Sequence, residues 1–126
     1  MAELTPIAPA DRQIIESYGG NRFRVSGQLY EGSIIVRPDR TVLWPIRSFA
    51  ELSQQSFQPL MAPEGTVDLL LLGCGPRMCL MPPELRQMLR TAGIVLETMD
   101  TGAACRTYNV LLAEERRVAA ALIAVD

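Results

Sequence analysis

The chain has 126 residues, of which 48% are hydrophobic, with a formal net charge of −2 and a pI near 5.2. That length predicts one domain spanning 1–126, large enough to bury roughly two-thirds of its unfolded surface. Acids and arginines are interspersed and form no basic field, which argues against nucleic-acid binding.

Two absences narrow the chemistry further. The chain has no histidine, and all 12 of its basic residues are arginine, so lysine is missing as well. Histidine is the usual general base near neutral pH and the commonest metal ligand. Lysine forms Schiff bases and grips phosphates in P-loops. Without them the sequence has no Ser–His–Asp triad, Cys–His dyad, His-ligated zinc, pyridoxal site or Walker-type phosphate loop. The thiols Cys74, Cys79 and Cys105 match neither a disulfide framework nor a zinc spacing, and are expected reduced and metal-free. No signal or transit pattern opens the chain, and no apolar run reaches the ~18 residues of a membrane span. The expectation is a cytoplasmic protein with no membrane insertion, no cofactor and no metal.

In chain order, residues 1–12 read as an irregular N-terminal segment, a lead-in strand or tail, carrying two prolines. Gln13–Tyr18 is a predicted strand ending at the Gly19-Gly20-Asn21 turn. Arg22–Val25 alternates arginine with Phe23 and Val25, as a half-buried strand does. Ser26-Gly27 turns the chain into Gln28–Val36, where Gly32 predicts a bulge. Arg37-Pro38-Asp39-Arg40 is a turn with proline in its second position, and Thr41–Trp44 is a short strand stopped by Pro45. Ser48-Phe49-Ala50-Glu51 fits a capping box, so a short helix is expected to begin there. Pro59, Pro63 and Gly65 break regular structure beyond that helix.

Thr66–Leu72 contains four consecutive leucines and reads as a strand covered on both faces. After the loop Gly73-Cys74-Gly75-Pro76-Arg77, Pro82-Pro83 opens a helix with Leu85, Met88, Leu89 and Ala92 at i, i+3, i+4 and i+7. Gly93 closes it, and Ile94–Met99 completes a β-α-β unit whose crossover is expected to be right-handed. Asp100 and Thr101 can both cap a helix over about 102–115. For Val118–Val125, alanine content favours helix while Val118, Ile123 and Val125 favour a buried strand. Local signals leave both open.

Ligands in open α/β sheets bind beyond the carboxyl ends of strands. If the two parent strands are neighbours, Gly73, Cys74, Gly75 and Arg77 face Asp100 and Thr101. Amides at the following helix start, with Arg77 and Arg106, would then suit a small anion, and Arg77→Glu would abolish its binding. The structural alternative is a tight glycine turn, with Asp100 paired to an arginine. Neither a dinucleotide fingerprint nor a phosphatase loop fits, because Met78 stands where a third glycine is needed and Arg77 follows Cys74 by only three positions. Asn109, in the middle of the last helix, is expected to tie down backbone by hydrogen bonds.

The run Glu97-Thr98-Met99-Asp100-Thr101, continuing through Ala103-Ala104-Cys105-Arg106-Thr107-Tyr108-Asn109-Val110-Leu111, resembles a known family. So do the glycine loop and the closing Arg117-Val118-Ala119-Ala120-Ala121-Leu122. This is the small α/β family, of the Mth938-like domain type, that includes the mitochondrial respiratory complex I assembly factor 3 and bacterial relatives. The resemblance covers about Arg22 to Ile123. It implies a mixed central sheet flanked by helices, with an antiparallel hairpin region on the N-terminal side and Val118–Ile123 as a strand. It carries over no catalytic or ligand residue.

The resulting expectation is a non-catalytic accessory or assembly factor acting through an unidentified protein partner. Trp44, Phe49 and Phe57 are its candidate contact patch, and membrane association is peripheral, through that partner. The alternatives are a small-ligand or anion-binding module at the two loops, and an enzyme built on Cys74, Asp100 and arginines.

Overall fold

The computed structural model describes residues 2–3, 12–61 and 67–126. It contains two sheets. The first is antiparallel, in the order β1 (Ala2–Glu3), β2 (Ile15–Gly19), β3 (Arg22–Val25), β4 (Gln28–Glu31). Two-residue turns, Gly20-Asn21 and Ser26-Gly27, join its hairpins, and all four residues have positive φ. Such turns match the right-handed twist of the strands they connect.

The second sheet has five strands: β5 (Ile34–Val36), β6 (Thr41–Leu43), β7 (Leu69–Gly73), β8 (Val95–Met99) and β9 (Val118–Leu122). Their order is β6-β5-β9-β7-β8. β7 pairs in parallel with β8 and with β9, whereas β5 runs antiparallel to β9 and β6. The mixed sheet and the β7–β8 unit are thus as the sequence predicts, although β9 holds the centre.

The strand expected over Gln28–Val36 divides in two. Gly32, at φ +85, is not a bulge within one ladder but the point where the chain leaves the first sheet for the second. The outer strand β4 is largely exposed, whereas all three residues of β5 are buried. The capping box at Ser48 does not form either. Glu51 Oε2 instead accepts from the Arg47 N–H at 3.2 Å and from the Ser48 hydroxyl at 3.4 Å, and the helix is one 3₁₀ turn over Phe49–Glu51. Pro59 sits inside a short helix, α1 (Gln58–Met61), rather than ending one. Pro63 and Gly65 lie outside the described residues.

The five-stranded sheet is covered on both faces, which explains its unbroken apolar strands. One face carries Ile35, Leu70, Leu72, Ala119 and Ala121, packed under Trp44, Phe57, Leu60 and the Leu85 and Leu89 stripe of α2 (Pro83–Thr91). Leu71, Ala120 and Leu122 face the other way, onto Ala104, Cys105, Tyr108 and Leu112 of α3 (Thr101–Ala113) and onto Ile15, Phe23 and Val25 of the first sheet.

Of the segment for which local signals leave two readings, Val118–Leu122 is strand, because α3 stops hard before it. Glu115 takes φ +60, its N–H bonds Leu112 O at 2.9 Å, and the Arg116 N–H reaches back to Leu111 O at 3.0 Å. This is a Schellman ending with glutamate in the position that glycine usually holds. Alanine's helix propensity is then overridden by pairing on both sides of β9.

Candidate functional site

The carboxyl ends of β7 and β8 place the two candidate loops in direct contact. The Thr101 N–H donates to Gly75 O at 2.9 Å, and the Gly75 N–H returns a bond to Thr101 Oγ1 at 3.0 Å. The Thr101 hydroxyl donates to Ile123 O at 2.6 Å, while the Cys74 N–H bonds Met99 O at 2.8 Å. Gly73, Cys74, Gly75, Asp100 and Thr101 therefore form one junction where β7, β8, β9 and α3 meet. A Cβ on Gly73 would lie 3.0 Å from both the Thr101 Cα and the Leu122 Cδ2, so close approach requires glycine there.

Asp100 is the N-cap of α3, its Oδ1 accepting from the Ala103 N–H at 2.8 Å. No ion pair joins it to Arg77 or Arg106 among the described residues. At the helix start, the amides of Thr101, Ala103 and Ala104 bond Gly75 O, Asp100 Oδ1 and Asp100 O. The donors that would cradle an anion are largely spent within the protein. Arg77 is exposed, and Arg106 donates from Nη1 to the Tyr18 hydroxyl at 3.2 Å.

Burial pushes the Cys74 thiol up from its ordinary pKa, and Cys105, wholly enclosed on the inner face of α3, is pushed up further by the same desolvation. Both shifts oppose formation of a nucleophilic thiolate. Cys79 is half-buried. Among the described residues, no cluster of three or more Cys, Asp or Glu side chains is placed to hold a metal ion, and no helix is long and apolar enough to cross a membrane.

The aromatic contact patch expected from the sequence is not on the surface. Trp44 and Phe57 are buried, with ring centroids 6.1 Å apart, and the Trp44 indole N–H bonds Ser56 O at 2.8 Å. The segment after β6 folds back over the sheet, whose apolar face needs that cover. Phe49 is partly buried against the same core.

Exposed apolar side chains lie elsewhere, on Leu29, Val42, Leu43, Val95 and Val110 as well as on the loop after β7. On the loop leading from the junction to α2, Met78 is 60% and Leu80 83% exposed. A second feature escapes sequence reasoning. It is a groove of about 880 Å³ lined by Ser33, Leu43, Trp44, Pro45, Arg47 and Ala124, among others.

A four-stranded antiparallel sheet joined to a five-stranded mixed sheet, with the β7-α2-β8 unit setting the junction, defines a Mth938-like α/β domain. The chain belongs to the family described as a protein of unknown function (DUF498/DUF598), whose pattern matches residues 15–123. It is 30% identical over 114 residues to the NADH dehydrogenase [ubiquinone] 1 alpha subcomplex assembly factor 3 of Xenopus tropicalis. That alignment covers 90% of this chain but 62% of the assembly factor's length.

Two solved structures are also similar. One, described as an outer membrane protein from Bartonella henselae, has a TM-score of 0.85 and 37% identity, covering 93% of this chain and 98% of that one. A Bordetella pertussis protein described as a Mth938-like domain has a TM-score of 0.79 and 29% identity, covering 98% of this chain and 92% of that one.

Proposed function

We propose that this protein is a non-catalytic assembly factor that docks a protein partner through the loop between β7 and α2, in the biogenesis of a respiratory membrane complex. The observation carrying this reading is the exposure of Met78 and Leu80 beside a junction whose polar groups are bonded to one another. Large apolar side chains held in water on a rigid scaffold are what a partner surface presents before it is covered. Support for the biological setting comes from the similarity to the complex I assembly factors. The buried thiols and the missing histidine and lysine support a stoichiometric role over turnover. In this reading the protein acts in the cytoplasm and reaches the membrane only through its partner. The spent amides at the start of α3 favour contact over anion capture.

The test is a gene deletion complemented with wild type or with Met78→Asp/Leu80→Asp. Assembled respiratory complex I, assayed on native gels, should fall in the deletion strain, recover with wild type and stay low with the variant. The purified variant should melt within about 0.5 kcal/mol of wild type, as surface substitutions usually do. Normal complex levels in the deletion strain, alongside a turnover activity of the pure protein, would make the reading wrong.

A further inference from the structure

The outer edge of the five-stranded sheet combines outward-pointing backbone groups with a concavity on each face. β6 is the last strand in its sheet, and its ladder fixes which groups point outward. Arg37 and Arg40 exchange both backbone hydrogen bonds, at 2.8 and 3.3 Å, and the Trp44 N–H reaches Ser33 O at 2.9 Å. Antiparallel pairs alternate between bonded and non-bonded positions. Val42 therefore bonds inward to Ile35, while Thr41 and Leu43 turn their N–H and C=O groups away from β5. Among the described residues no strand lies on that side. The Leu43 side chain is 64% exposed.

The opposite edge is treated differently. The Val95 N–H bonds Asp68 O and the Cys74 N–H bonds Met99 O, so Leu96 points its carbonyl outward from β8, and Arg86 Nη1 caps it at 3.0 Å. A cationic side chain over an edge carbonyl blocks strand addition there. β6 has no such guard among the described residues.

Leu43 borders the 880 Å³ groove with Trp44, Pro45 and Ile46, and Val42 borders a 260 Å³ cleft with Arg37 and Arg40. Side chains of an added strand alternate between the two faces, so one set meets the Leu43–Ile46 wall of the groove and the other the arginine cleft. We propose that β6 accepts an extended segment of a partner protein in which apolar and acidic residues alternate. Backbone bonds to Thr41 and Leu43 hold the segment, apolar side chains fill the groove, and carboxylates lie beside the exposed Arg40. The site is independent of the Met78–Leu80 loop and stands or falls without it.

The experiment follows backbone amides by NMR while the full chain is titrated with the peptide acetyl-Leu-Glu-Val-Glu-Leu-amide. Saturable shifts at the Thr41 and Leu43 amides are expected. Affinity should drop roughly fivefold or more when arginine replaces glutamate in the peptide, and again in Arg40→Glu, because attraction across the cleft becomes repulsion. Leu43→Pro removes an outward N–H and should abolish binding, and Arg40→Glu serves as the test if that variant does not fold. Three results would overturn the proposal: no saturation at those amides at a few millimolar peptide, equal affinity for both peptides, or concentration-dependent shifts without peptide, which would mean that β6 pairs with a second copy.

Discussion

The side-chain amide of Asn109 binds the backbone of Ile15 as a neighbouring strand would. Its Oδ1 accepts from the Ile15 N–H at 3.1 Å, and its Nδ2 donates to the Ile15 carbonyl at 2.8 Å. Helix α3 is thereby fastened to β2 across 94 positions of sequence. Asn109→Ala strands two buried backbone groups, and leaving such groups unpaired costs about 1–3 kcal/mol each. Chemical denaturation should report a loss of roughly 2–6 kcal/mol with the slope unchanged.

Thr101 joins three elements through one hydroxyl, which accepts from Gly75 and donates to Ile123. Thr101→Val keeps the shape and removes both bonds, so thermal unfolding should show a loss of about 2 kcal/mol or more. Thr101→Ser retains the hydroxyl and should cost markedly less. Equal losses in the two variants would mean that the methyl group contributes as much as the hydroxyl.

Glu115 holds a left-handed conformation in which a side chain costs about 1–2 kcal/mol relative to the ordinary helical region. Glycine avoids that cost but gives the unfolded chain more freedom, so Glu115→Gly should gain roughly 0.5 kcal/mol. A lower midpoint in denaturant would mean that the glutamate side chain stabilises α3 in some other way.

Stability should change with pH only at the alkaline end of the neutral range. With no histidine, no side chain ordinarily titrates between about pH 6 and 8. The folded Cys105 thiol is raised above its unfolded value by burial, so its contribution is complete below the unfolded pKa and is lost as pH rises. Unfolding free energy should be flat from about pH 6 to 8.5 and fall above it, less steeply in Cys105→Ala. An aromatic disulfide reagent applied to the native protein should modify Cys79 first, with Cys74 and Cys105 reacting at the pace of opening.

Elements with a complete local signature are legible in the sequence. The hairpin turns carry glycine, asparagine and serine, α2 carries both its proline start and its apolar stripe, and Asp100 caps α3 where a cap is needed. Gly32 misleads because a bulge and a switch between sheets look alike locally. The unbroken Ile34-Ile35-Val36 run, typical of a strand buried on both faces, is the available hint. The junction of the two loops follows from parallel strand neighbours, whereas the occupation of its polar groups depends on Gly75 and Ile123, to which no spacing points. Trp44 and Phe57 illustrate a further limit, since an aromatic residue beside prolines reads equally well as patch or as core. The groove draws on Asn21, Ser33, Leu43 and Ala124, so only the assembled fold could reveal it.

The position of β9 also governs the order in which the protein can form. The strand follows β5 and β7 in the chain, yet it lies between them, and neither can complete its pairing until residues 118–122 arrive. During synthesis the N-terminal hairpins can assemble from local contacts, while β7 and β8 wait beside an empty lane. An emerging chain therefore presents two apolar strand edges that the finished molecule hides. Newly made protein should depend on chaperones more than a domain of this size with sequential strand order would.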